Sequence, residues 1–82
     1  MSDLTYGQKA CGVSFNLGNN PDVDAIKRKY AEIVDLLAQL RDVQSFSSPP
    51  NKEILRMLSV AITETQTAQM WAVKAVTWQH KD

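Results

Sequence analysis

Two stretches of the chain carry apolar residues at helical spacing. In the first, apolar positions recur three and four residues apart, at Val23, Ile26, Tyr30, Ile33, Leu37 and Leu40. This spacing places them on one face of a helix, as in a coiled-coil seam. Asn20 can cap the free amide groups and Pro21 suits the first helical position, so we predict a helix over residues 21–42.

The second stretch, residues 59–78, reads SVAITETQTAQMWAVKAVTW and contains neither glycine nor proline. Together with the preceding residues 51–58, this stretch predicts a long helix over residues 51–80, and Asn51 can cap its first turn. Apolar residues surround its C-terminal half, and a helix that is apolar all round is buried all round. One stripe of mostly small residues would let another helix approach closely, and it comprises Leu58, Ala61, Thr65, Ala68, Ala72 and Ala75.

The remaining segments complete an all-α antiparallel helical hairpin with an N-terminal arm. Residues 43–50 contain Pro49 and Pro50 and predict a loop long enough to reverse the chain. Residues 1–20 contain three glycines and predict an extended or irregular arm, in which residues 10–15 form a short strand or a packed loop. We treat residues 1–82 as a single domain.

Size and composition narrow what can stabilise this domain. A core is marginal at 82 residues, and a single cysteine, Cys11, excludes an intramolecular disulfide. One cysteine and one histidine, His80, cannot build a structural zinc site. One partner helix cannot cover the apolar surface of the second long helix, so we expect a homo-oligomer.

Charge and hydropathy set the class of ligand and the compartment. Nine basic and nine acidic residues cancel, which argues against binding polymeric nucleic acid and leaves room for a small anionic ligand held by a few lysines. No apolar run approaches the ~18 residues of a membrane span, and the N-terminus lacks a secretory h-region. We therefore expect a cytoplasmic protein that does not contact membranes.

Candidate ligand groups lie on both helices and on the arm. Lys27 directly follows the seam residue Ile26, so it could flank a groove, although a solvated face explains most surface lysines equally well. Tyr6 and Phe15 could stack on a base, or they could latch the arm down. Trp71 and Trp78 lie seven residues apart on one face, a spacing typical of packing between helices.

The polar run TETQTAQ, residues 63–69, interrupts the apolar pattern of the second helix. Thr63 and Thr67 could form a hydrogen-bonding wall for a polar ligand, or they could bond across a helix interface or to their own backbone carbonyls. No motif for a nucleophile, a phosphate loop, a metal or a cofactor appears. We therefore expect a binding protein and not an enzyme.

The segments GVSFN, NPDVDAIK and SVAITETQTAQMWAVKAVTW, within about residues 12–78, resemble a known family. It comprises small bacteriophage anti-defence proteins that act as cyclic-nucleotide sponges, the anti-CBASS sponge and its relative that counters Thoeris. The resemblance implies a hexamer of helical protomers in the host bacterial cytoplasm. The hexamer would capture immune cyclic di- or trinucleotides, cGAMP among them, without cleaving them.

The resemblance also implies residue roles. An aromatic of the N-terminal segment, here Tyr6 or Phe15, would stack on a base, and Lys27 would meet phosphate. Those sponges begin the long-helix motif with Ala-Arg-Thr, where this chain has Ala61-Ile62-Thr63 and thus keeps the threonine without the arginine. The rival hypothesis is a small helical adaptor that binds another protein through the Trp71 and Trp78 face.

Overall fold

The computed structural model describes residues 3–78, and this part of the chain is helical without any strand. Helix α1 spans Tyr6–Cys11, a 3-10 turn spans Leu17–Asn19, and the two long helices are α2, Pro21–Ser45, and α3, Lys52–Val76. The all-α prediction is confirmed. Helix α2 continues beyond the predicted end at residue 42. Helix α3 ends at Val76, and residues 79 and 80 of its predicted range lie outside the described residues.

Asparagine side chains start both long helices, as the sequence indicates. The Asn20 carboxamide oxygen accepts the amides of Asp22 and Val23 at 2.9 and 3.2 Å. At α3 the Asn51 oxygen accepts two amides at 3.1 Å. These bonds satisfy amide groups that have no partner inside the helix.

Helices α2 and α3 form the hairpin. Near the loop, the Arg41 guanidinium donates to the Ser59 hydroxyl at 3.3 Å. At the opposite end, Lys27 and Val73 line the same hollow. The start of α2 therefore lies beside the end of α3, which is the antiparallel arrangement.

The prediction of an extended or irregular arm was wrong for residues 6–11, which form α1. A capping box joins Thr5 and Gln8 at its start, and Gly12 ends it with a φ of 63°, a conformation that favours glycine. The sequence pattern does not predict this helix, because it has only six residues and residues 1–20 contain three glycines. Contacts with α2, distant in the chain, fix it in place.

The core lies where α1 and α3 meet α2. Its buried members are Cys11, Val13, Ala31, Val34 and Ile62. The predicted seam of α2 lies beside this core and is only partly covered, because Ile33 and Leu40 remain exposed. Since α1 also packs on α2, the buried face is rotated toward Ala31 and Val34, away from the coiled-coil register.

The folded chain is thin and exposes much apolar surface. Its radius of gyration is 15.3 Å, against about 12 Å for a compact domain of this length. Its accessible surface is 6149 Å², against about 4,900 Å² for a monomer of this mass. The exposed apolar side chains include Leu36, Val43, Phe46, Met57, Met70 and Trp71. Within residues 3–78, no helix has an apolar stretch long enough to cross a bilayer.

Candidate functional site

A groove of about 640 Å³ opens between the α1 segment and the C-terminal half of α3, above the start of α2. One wall comes from α1 and the turn that follows it, and the other comes from one face of α3. The lining residues are Lys9, Ala10, Cys11, Gly12, Phe15, Lys27, Gln69, Met70, Val73, Lys74 and Thr77. Three elements therefore build the groove, and three lysines border it.

Lys27 forms the floor of the groove and is only 8% exposed. Its ammonium donates to the carbonyl of Gly12 at 3.1 Å and to the carbonyl of Phe15. It also lies 5.6 Å from the centroid of the Phe15 ring. An ammonium carries three N–H donors, so one donor remains for a further acceptor.

The turn after α1 directs these two carbonyls to Lys27. Gly12 adopts the left-handed conformation, and the Phe15 amide donates to the Gly12 carbonyl at 3.0 Å. A Cβ added at Gly12 would lie 3.8 Å from the Lys27 nitrogen, so the backbone passes close to the ammonium. The turn leaves the Phe15 side chain 66% exposed at the groove, where it offers a flat apolar surface.

Lys74 borders the groove from α3, and aromatic rings hold its ammonium. The nitrogen lies 5.2 Å from the Trp71 centroid and 5.6 Å from the Trp78 centroid, within the range of cation–π attraction. Among residues 3–78 the ion pairs are Arg28–Asp24 and Arg56–Glu53, and no groove lysine takes part in either. The groove is therefore locally positive although the chain has no net charge.

A second hollow, of about 390 Å³, lies at the start of α2 and is lined largely by polar groups, Ser14 and Asn16 among them. Its one basic side chain, Arg28, is paired with Asp24 at 3.0 Å. Because that pairing cancels the charge, this hollow suits an anion less well than the groove does.

The structure brings together two of the predicted site residues, Phe15 and Lys27. Tyr6 lies in the first turn of α1 and does not line the groove. Thr63 lines a separate hollow of about 300 Å³ near the middle of α3. Thr67 is not among the groove residues either. The ligand roles of Tyr6, Thr63 and Thr67 stay predictions.

Two threonines of α3, Thr65 and Thr67, bond back to their own helix. The Thr67 hydroxyl donates to the Thr63 carbonyl at 3.2 Å, and the Thr65 hydroxyl donates to the Ala61 carbonyl at 2.6 Å. This is the backbone-bonding alternative for the polar run, and it gives these hydroxyls acceptors within their own helix.

Sequence reasoning missed the α3 face of the groove. Gln69, Val73 and Thr77 recur every four residues, with Met70 and Lys74 beside them, so they share one helical face. An antiparallel hairpin also brings this face to the start of α2. The missing information was the position of α1, which closes the groove from the other side.

Cys11 is a buried wall residue of the groove. Burial chiefly raises the pKa of its thiol, the Asp35 carboxylate raises it further, and the Lys27 ammonium opposes them. A raised pKa keeps the thiol protonated and unreactive near neutral pH. Across residues 3–78, no three His, Cys, Asp or Glu side chains lie close enough together to hold a metal ion.

A family model described as the Acb2/Tad1 hairpin domain matches residues 12–77, which include the turn after α1 and both long helices. No curated protein and no solved structure matches the chain. The family match covers most of the sequence and agrees with the helical hairpin. The chain therefore belongs to the Acb2/Tad1 hairpin domain family, the family of anti-CBASS and anti-Thoeris sponges.

Proposed function

We propose that this chain captures a cyclic di- or trinucleotide in the groove and holds it without cleaving it, so that a bacterial immune signal does not reach its effector. Family membership supports the sponge role. The observation that carries the proposal is the groove itself, where the exposed Phe15 ring lies 5.6 Å from the Lys27 ammonium and where Lys9 and Lys74 also line the walls.

These groups match the chemistry of a cyclic dinucleotide, which presents two phosphates and two bases. A phosphate is bound most strongly by charged donors, and the remaining N–H of Lys27 is fixed in position by the two carbonyls. A base needs a flat apolar surface on which to stack. We propose Phe15 as that surface in preference to Tyr6, because Phe15 lines the groove.

We also propose that the chain acts as a homo-oligomer, a hexamer by the family resemblance. The protomer exposes more surface than a compact monomer of its mass, and much of it is apolar. Further copies of the chain would cover this surface.

Calorimetric titration with a panel of cyclic di- and trinucleotides tests the proposal. Lys74→Ala should weaken binding about ten- to a hundredfold, because it removes a charge-assisted contact to phosphate. Lys52→Ala removes the same charge at the other end of α3 and should leave the affinity unchanged. Equal weakening by both would indicate diffuse electrostatics, and no binding by the unsubstituted chain would refute the proposal.

A protein adaptor is the second candidate, and the exposure of one face of α3 favours it. Met70 and Trp71 are 61% and 66% exposed, and with Lys74 they line a hollow of about 250 Å³. An adaptor would bind no cyclic nucleotide in the titration. The same panel therefore separates the two candidates.

A further inference from the structure

Helix α1 supplies one wall of the groove but is too short to be stable by itself. It has six residues, and an isolated helix of that length does not repay the cost of its first turn. Lys9, Ala10 and Cys11 of this helix line the groove. The shape of the groove therefore depends on whatever holds α1 against α2.

Asp35 of α2 holds the start of α1 with both carboxylate oxygens. Its Oδ1 accepts the Gly7 amide at 2.7 Å, and its Oδ2 accepts the Thr5 hydroxyl at 2.7 Å. The same Thr5 oxygen accepts the Gln8 amide at 3.0 Å, so the helix cap and the contact with α2 share one hydroxyl. Bonds of this kind to a charged acceptor are stronger than neutral ones.

The approach of α1 to α2 is so close that only glycine fits at the contact. A Cβ added at Gly7 would lie 2.2 Å from the Ala31 carbonyl oxygen and 2.8 Å from Asp35 Oδ1. The first distance is far shorter than any allowed contact, and the carbonyl belongs to the rigid backbone of α2. The backbones of α1 and α2 are therefore in direct contact at Gly7, and this contact fixes the distance between the two helices.

The other end of α1 is held from the same helix. Lys27 lies about two turns before Asp35 on α2, and it binds the carbonyls of Gly12 and Phe15. The short helix thus spans two charged side chains of α2, an anion at its start and a cation at its end.

We propose that Asp35 is a positioning residue for the groove. It does not line the groove itself. It fixes α1 so that Lys9, Ala10 and Cys11 form a wall of constant shape, and it thereby sets the affinity for the ligand. This inference rests on the proposed function, because it assigns a role in the same binding site.

The test compares Asp35→Ala with Asp42→Ala, which removes the same charge from an exposed position on the same helix. Two quantities are measured well below the unfolding temperature: the Kd for a cyclic dinucleotide, and amide hydrogen exchange along the chain. Asp35→Ala should raise the Kd about tenfold or more and speed exchange in residues 6–13, with α3 still protected. Asp42→Ala should change neither quantity.

A second pair of variants separates positioning from general stability. Thr5→Ser keeps the hydroxyl that bonds to Asp35 and should retain the affinity. Thr5→Val keeps the shape but loses both the bond to Asp35 and the cap on the Gln8 amide, so it should weaken binding as Asp35→Ala does. Faster exchange in α1 with an unchanged Kd would overturn the proposal, as would a lower Tm with an unchanged Kd. If the unsubstituted chain binds no cyclic nucleotide, the proposed function itself fails, and this is a distinguishable result.

Discussion

Lys27 is a buried cation whose partners are backbone carbonyls, which gives it a structural task besides any contact with phosphate. Lys27→Ala should lower the free energy of unfolding by about 1–3 kcal/mol, because it leaves two carbonyls without their donor. Lys29→Ala removes the same charge from an exposed site and should be close to neutral. Urea denaturation of both variants measures the difference, and equal midpoints would show that the carbonyl bonds contribute nothing.

Cys11 links stability to pH. Its thiol pKa is raised above the ordinary value of 9.0, so the folded chain keeps a proton that the unfolded chain has already lost. Stability should therefore fall as the pH rises past 9.0. At lower pH the thiol is protonated in both the folded and the unfolded chain, so this loss of stability is absent there. Cys11→Ser should flatten that part of the profile in urea melts between pH 8 and 10. An unchanged slope would contradict the raised pKa.

The caps are the features of the long helices that the sequence indicates most directly. Asn51→Ala should cost about 1 kcal/mol, because two amides in the first turn of α3 lose their acceptor. Asn51→Asp keeps an acceptor oxygen and serves as the control. Thermal unfolding of both variants checks this, and equal Tm values for Asn51→Ala and the unsubstituted chain would show that the cap does not stabilise α3.

The long helices could be predicted because their signals are local: apolar spacing, an asparagine cap and a proline-containing loop. Helix α1 could not, because the bonds that seat it join Thr5 and Gly7 to Asp35, 30 and 28 residues away. The same reason explains why only some of the groove residues could be predicted from the sequence. In the sequence, Phe15 can be recognised as a candidate aromatic for base stacking and Lys27 as a candidate cation for phosphate. Lys74 becomes a candidate ligand residue only once α1 is known to lie opposite it across the groove.

The thin protomer with its exposed apolar surface predicts an assembly. Ala68→Leu should dissociate it, since Ala68 is exposed in the protomer and lies on the stripe of small residues, where overpacking an interface costs about 1–3 kcal/mol. Ala25→Leu makes the same change at an exposed position of α2 outside that stripe and should leave the assembly intact. Light scattering reports the mass, and 9.2 kDa for the unsubstituted chain would contradict the assembly.

Capture without cleavage is tested most directly by native mass spectrometry of the chain mixed with cyclic di- and trinucleotides, followed by heat denaturation and analysis of the released ligand. We predict an oligomer that carries bound cyclic nucleotide and releases it with its mass unchanged. Linear product in the released fraction would show a catalytic site and replace the sponge with an enzyme. No bound nucleotide from any member of the panel would contradict the proposed sponge function.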